Sequence, residues 1–281
     1  MFQSLQELVL GADEGTISTF AIKRQCREKG ITSEAALGKM HASLHVMREA
    51  AAAGLSPKVE SMSGLTGGNA DLLSKAVLSG RTAGGALLGK AAVRALATAE
   101  YNAAMGRIVA APTAGACGIL PAALLTMQEE YGLTDDLLVQ ALFTAGAVGI
   151  VIAHRASVSG AQGGCQAECG SAAGMAAAAM VELRGGTPAQ AADACGFALM
   201  NVMGLVCDPV QGLVEVPCVY RNVAGISNAL VSCDLALSGI VCPLPPDELI
   251  DAMKAVGDML PSQLKETGEG GCAACPSAAQ P

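Results

Sequence analysis

Three cysteines in the middle of the chain stand in turns. Cys165 follows Gln162-Gly163-Gly164, Cys207 precedes Asp208-Pro209, and Cys218 follows Pro217. Glycine lets backbone come close to a bulky group, and proline fixes a turn while removing a donor. Thiolates arriving from separate turns suit a cuboidal iron–sulfur cluster, with backbone N–H groups pointing at sulfur. They also suit a plainer role, because cysteine is among the most buried residue types. Their spacing matches no compact zinc or ferredoxin pattern. Residue type alone therefore leaves two roles open, cluster ligand and buried filler of the kind expected for Cys195 and Cys233.

What the middle lacks narrows its chemistry. No lysine occurs between Lys90 and Lys254, so a site there has no Schiff-base lysine for pyridoxal phosphate. No Gly-x-Gly-x-x-Gly follows a strand and no P-loop is present, which excludes dinucleotide and nucleotide chemistry. His154 is the only central imidazole. His41 and His45 form an i, i+4 pair on an N-terminal helix with no third ligand nearby, so they read as a polar face. A second candidate is the stretch from Ser61 to Ala70, whose Ser63, Thr66, Gly67 and Gly68 precede a helix expected over Asp71–Ser79. Hydroxyls and backbone N–H groups at a helix start suit a carboxylate or phosphate, and a plain turn explains the glycines equally well.

The elements that must position these residues are helices. Aromatics make up 2% of the chain and tryptophan is absent, so the core must be built from Ala, Leu, Val, Met and Gly. Alanine is the best helix former, and strand formers are scarce or scattered. Apolar helices are expected at Ala83–Ala99, Leu120–Tyr131, Asp135–Ala153, Ser171–Leu183, Thr187–Leu205, Asn228–Ser238 and Pro246–Met259. Between them lie three almost uncharged irregular segments: Ala110–Gly118, Ser157–Gly170 and Cys207–Cys218. Loops normally lie outside and are polar, so apolar loops of this kind mark a site where they converge. The fold predicted is all-α, a single globular domain over 1–281. Residues 1–60 form peripheral helices, 61–264 the core, and 265–281 a Gly- and Ala-rich tail with the composition of a mobile end.

Of the 281 residues, 52% are hydrophobic and 15% charged, with a formal net charge of −8. An acidic chain with no basic stripe excludes nucleic acid as a partner. The longest uncharged stretch, Ile108 to Met127, is interrupted by Pro112, Gly115, Gly118 and Pro121, so no membrane-spanning segment is expected. The opening Met1-Phe2-Gln3-Ser4 runs into Glu7 and Asp13 and lacks the pattern of a secretory signal. Eleven cysteines in such a chain point to a reducing cytoplasm rather than to disulfides.

Several long motifs carry a resemblance. They are Ser63-Gly64-Leu65-Thr66-Gly67-Gly68, Asn102-Ala103-Ala104-Met105-Gly106, Pro112-Thr113-Ala114-Gly115, Ser157-Val158-Ser159-Gly160-Ala161 and Gly164-Cys165-Gln166-Ala167-Glu168. Gly204 to Val210 and Gly212 to Cys218 complete them. Across nearly the whole chain the sequence resembles the alpha chain of two-subunit iron–sulfur L-serine dehydratases. The resemblance implies an all-helical fold, a 4Fe-4S cluster on Cys165, Cys207 and Cys218, no pyridoxal phosphate, and a separate beta subunit. The intervals of 42 and 11 residues between these cysteines agree with the family. It further implies an L-serine ammonia-lyase that converts L-serine to pyruvate and ammonia, with one iron lacking a protein ligand and acting as Lewis acid. The heterodimer could associate further. On this reading Ser63, Thr66, Gly67, Gly68, Thr113 and Gly115 bind substrate, and Ser159 and Thr113 are catalytic. Glu168 and Glu215 support the ligands, and the α-proton base is left open between His154, a serine alkoxide and the partner. Three departures stand out: Cys169 at a usually apolar position, His154-Arg155 in place of small amides, and the tail pair Cys272 and Cys275. That pair could be spare thiols, a loose metal clip, or a thiol that folds back onto the open iron. The alternatives for function are a cysteine desulfidase of the same superfamily and a non-catalytic cluster-binding protein.

Overall fold

The computed structural model describes residues 2–13 and 15–279. In chain order the helices are α1 (Leu5–Ala12), α2 (Ile17–Lys29), α3 (Ser33–Ala53), α4 (Asn69–Leu78), α5 (Gly85–Ala103), α6 (Ile119–Tyr131) and α7 (Asp135–Arg155). They continue with α8 (Gly160–Gly163), α9 (Ser171–Leu183), α10 (Pro188–Met200), α11 (Cys218–Leu237) and α12 (Pro246–Met259). Among the described residues there is no strand, only one isolated parallel bridge between Cys207 and Lys265. The all-α expectation holds.

Helix α9 is the axis of the core. Every residue from Ser171 to Val181 is buried, and most are alanine, so α6, α7, α10 and α11 can all pack directly against it. Threonines cap the surrounding helices: the side chains of Thr32, Thr134 and Thr187 each accept an N–H from the first turn, and Gln190 completes a capping box with Thr187. Helix α7 is the one described helix long and apolar enough to cross a membrane, with a mean hydropathy of 1.9 over its best window. Here 67% of that window is buried, against α2, α3 and α9.

Three boundaries differ from expectation. Helix α11 starts at Cys218, ahead of the expected Asn228, because Tyr220, Arg221 and Asn222 interrupt the apolar pattern after Pro217. Arg221 and Asn222 turn out to face the site, while Tyr220 is exposed. Helix α10 stops at Met200 and leaves Asn201–Val206 free to bend toward Cys207. The tail packs back against the Cys207 loop. The N–H of Cys207 donates to Leu264 O at 2.9 Å, and that of Glu266 to Cys207 O at 2.8 Å. Further on, the Cys272 N–H reaches Asp208 Oδ2 at 2.7 Å. Unpaired backbone on the Cys207 loop thus gives a weakly hydrophobic segment its partners.

Candidate metal centre

Cys165 immediately precedes a π-helical turn, Gln166–Gly170, that runs straight into α9. Such turns widen the helix and recur at functional sites. This one is bolted in place by Gln166, whose N–H donates to Leu205 O at 2.9 Å. Its side chain bonds Met253 O at 2.9 Å and the Gly204 N–H at 2.8 Å. The turn also sets Cys169 Sγ 3.4 Å from Cys165 Sγ.

Cys207 lies in the α10–α11 connection and Cys218 is the first residue of α11. Cys165, Cys207 and Cys218 are 3%, 3% and 7% exposed. Gly160 closes the wall beside them: a Cβ there would sit 2.8 Å from Cys207 Sγ and 2.5 Å from Glu168 Oε2. Only glycine fits that approach.

The first two turns of α11 join the loops. Cys218, Arg221 and Asn222 stand at i, i+3 and i+4 and so share one face. Arg221 Nη1 donates to Val206 O and pairs with Asp208 Oδ1, each at 2.8 Å, and the guanidinium lies beside the Cys165 thiol. Asn222 Nδ2 donates to Gly115 O at 2.7 Å and Cys218 O at 2.9 Å, while its Oδ1 accepts the Gly118 N–H at 2.8 Å. The three irregular segments expected from the sequence thus converge.

Three buried carboxylates complete the picture. Glu168 accepts the Thr113 hydroxyl at 2.7 Å and lies 3.7 Å from Cys207 Sγ; burial pushes its pKa up against the opposing bond from Thr113. Glu215 accepts the hydroxyls of Ser61, Ser63 (2.7 Å) and Thr66 (3.0 Å). Burial works to raise its pKa, but these donors outweigh it and hold the carboxyl below its ordinary 4.5. Glu100 takes the Asn69 N–H at 3.2 Å, Asn69 Nδ2 at 2.6 Å and the Ala70 N–H at 3.0 Å. The glycine-rich loop therefore does bind carboxylates at a helix start, but they are the protein's own. Ser63 and Thr66 are turned onto Glu215, and of the expected donors the N–H groups of Gly67 and Gly68 are left. Gly67 has φ +141°, and a Cβ there would lie 2.2 Å from Val59 O.

The remaining expected residues are easily placed. Thr113 and Gly115 sit against Glu168. Ser159, half-buried, heads α8 and precedes Gly160; its carbonyl accepts the N–H groups of Gln162 and Gly163 at 3.2 and 2.9 Å. His154 is exposed at the end of α7. Arg221, Asn222 and Asp208 were not singled out from the sequence, although an arginine and an aspartate beside cysteines in an almost uncharged region were the available signal.

The thiols divide by environment. Burial is the main cause that pushes Cys117, Cys195 and Cys233 up to about 12. Cys218 is also pushed up to about 12, by burial first and then by Cys165 and Glu168, and Cys207 is raised by burial, Glu168 and Cys165. Cys165 is lowered instead, by its bond with Cys169 and by Arg221. Among the described residues no three His, Cys, Asp or Glu side chains can share a single metal ion. A cuboidal cluster makes no such demand, because each thiolate binds a different iron. Three buried thiols, one ahead of the π-helical turn, one in the α10–α11 loop and one at the start of α11, with a glycine wall and one adjoining cation, fit that donor set.

These features define an all-α protein with a thiol-rich, lysine-free centre. Residues 12–273 match the family model described as "Serine dehydratase alpha chain", and the chain belongs to that family. It is 48% identical to the "Probable L-serine dehydratase, alpha chain" of Bacillus subtilis, over 99% of this chain and 93% of that one. It is 40% identical to the "L-serine dehydratase, alpha chain" of Peptoniphilus asaccharolyticus, over 97% and 94%. The "L-serine dehydratase" of Streptomyces coelicolor is 36% identical over 92% of this chain, but the match spans only 52% of that longer protein.

Proposed function

We propose that this chain is the cluster-bearing subunit of an L-serine dehydratase that converts L-serine to pyruvate and ammonia. The observation that supports the reading is the burial of Cys165, Cys207 and Cys218 close enough to act on one another's charge, with Gly160 and Glu168 packed against Cys207. When bound on these thiolates, a 4Fe-4S cluster supplies a Lewis-acidic iron that turns the serine hydroxyl into a leaving group. The chain's own residues bind and orient. Glu215 clamps the loop carrying Gly67 and Gly68, whose N–H groups are donors for the substrate carboxylate. Thr113, Gly115 and Ser159 line the approach from the other two loops. Loss of the α-proton and of water leaves aminoacrylate, which tautomerises and is hydrolysed to pyruvate and ammonia.

We further propose a separate beta subunit as partner and the reducing cytosol as the setting. The longer Streptomyces relative carries about as much chain again beyond the matched part. Near the site, Met62 (73% exposed), Met105 (77%) and Leu213 (39%) line a cleft of about 350 Å³ with Glu215 in its wall. Apolar side chains gathered around a polar site are suited to being covered by a partner.

The test is anaerobic co-expression with a beta chain, iron and sulfide analysis, and a pyruvate assay on L-serine and L-cysteine side by side. Iron and sulfide bound to this chain with turnover of L-serine is the expected result. A much larger kcat/KM for L-cysteine would make the protein a desulfidase, and iron near zero would make the cysteines structural.

A further inference from the structure

We propose that Arg221 is a positioning residue of the cluster site: one guanidinium ties together the three ligand-bearing segments and supplies the positive charge that offsets their thiolates. The inference rests on the reading of Cys165, Cys207 and Cys218 as cluster ligands. It concerns a residue that is not itself a ligand.

The geometry is specific. Arg221 stands one helical turn after Cys218. Its Nη1 lies 2.8 Å from Val206 O and 2.8 Å from Asp208 Oδ1, the residues on either side of Cys207. The same group lies beside the Cys165 thiol. One side chain therefore reaches all three segments, which come from distant parts of the sequence.

Its charge is equally placed. The Arg221 and Asp208 side chains are 16% and 4% exposed. A buried pair of this kind is costly to break, because either partner is then left charged and unsolvated. Asp208 alone would neutralise Arg221, but three thiolates and Glu168 share the bed. Arg221 is the positive side chain placed among these groups, held by Val206 O and Asp208. No lysine occurs between Lys90 and Lys254 to substitute for it. Asp208 is pinned through its other oxygen by the Cys272 N–H at 2.7 Å, so the pair has a fixed direction. That favours the planar guanidinium fork over a flexible ammonium.

The test uses the holoenzyme, co-expressed anaerobically with its beta chain, in four forms: wild type, Arg221→Lys, Arg221→Met and Asp208→Asn. Iron and sulfide per chain, the rate of iron loss to a chelator, and the reduction potential of the cluster are measured for each. Arg221→Met keeps the apolar stem and removes the charge. It is expected to lose iron about 10- to 100-fold faster, the usual scale for residues that support metal ligands, and to show a more negative potential. Arg221→Lys keeps the charge, so its potential stays near wild type while iron loss is intermediate. Asp208→Asn keeps the Arg221 charge and loses the pair, so it should shed iron faster without the negative shift. A wild-type potential in Arg221→Met, or the same potential in the Met and Lys variants, overturns the charge role. Unchanged iron loss in all three variants overturns the positioning role. If Arg221→Met does not fold, Arg221→Gln, which also removes the charge, takes its place in both measurements, and the Lys and Asn variants still test the positioning role. Failure of the cluster reading itself is distinct, since wild type would then hold no iron.

Discussion

The charged periphery and the lysine-free centre use the same interactions with different consequences. On the periphery, charges lie in exposed pairs: Lys254 Nζ is 2.6 Å from Asp258, and Arg48 is 2.8 Å from Asp135. Water and salt screen such pairs, and each contributes little. In the centre the charges are few and enclosed. Arg221 meets Asp208, Glu215 meets three hydroxyls, and Glu100 caps α4. There each bond also prevents an unpaired polar group in a medium that stabilises it poorly. The centre therefore depends on individual side chains in a way that the periphery does not.

The strongest way to break this contrast is through the thiols. Alanine at Cys165, Cys207 or Cys218 should reduce anaerobically bound iron to near zero. Alanine at Cys195 or Cys233, equally buried but inside helices, should leave iron content intact. Iron retained by all three site variants would remove the distinction between ligand and filler.

Next in size is Glu215→Ala, which leaves Ser61, Ser63 and Thr66 without their acceptor. Urea unfolding should show a loss of about 3 kcal/mol, the scale of several bonds to one charged group. Glu215 also makes the centre acid-sensitive. Its folded pKa lies below its ordinary 4.5, so its contribution is full above that value and is lost as pH falls through the folded pKa. The urea midpoint of wild type should therefore fall more steeply below pH 4.5 than that of Glu215→Gln; parallel curves would show that the hydroxyl clamp does not bias ionisation.

Asn222→Ala removes the bonds to Gly115 O, Cys218 O and the Gly118 N–H. The expected loss is about 2 kcal/mol, again from urea midpoints. At the small end, Lys75→Ala deletes the exposed pair with Asp71 on α4 and should change stability by less than about 0.5 kcal/mol. A larger effect there than at Asn222 would reverse the comparison between surface and centre.

Much of this was legible before any coordinates. The alanine-rich run of Ser171–Leu183 and the Pro-Asp-Glu start of Pro246–Met259 were bounded correctly as helices. Helix α11 was read ten residues short, since Arg221 and Asn222 look like loop residues until their partners are known. For the tail, composition reports only a weak local preference, while its place beside the site comes from backbone bonds to Cys207, over 50 residues away.

The sequence by itself determined the helical class, through alanine and the scarcity of strand formers, and set Cys165, Cys207 and Cys218 beside glycine or proline, where helices begin or break. Both are local properties, carried by propensity and by allowed backbone angles. Only the tertiary structure decided what the polar residues face. Ser63 and Thr66 could have been free donors, and instead hold Glu215; Arg221 could have been a surface charge, and instead pairs with Asp208 beside the Cys165 thiol. Such pairings join residues far apart in the chain, and a buried charge takes whichever partners the packed helices bring within reach.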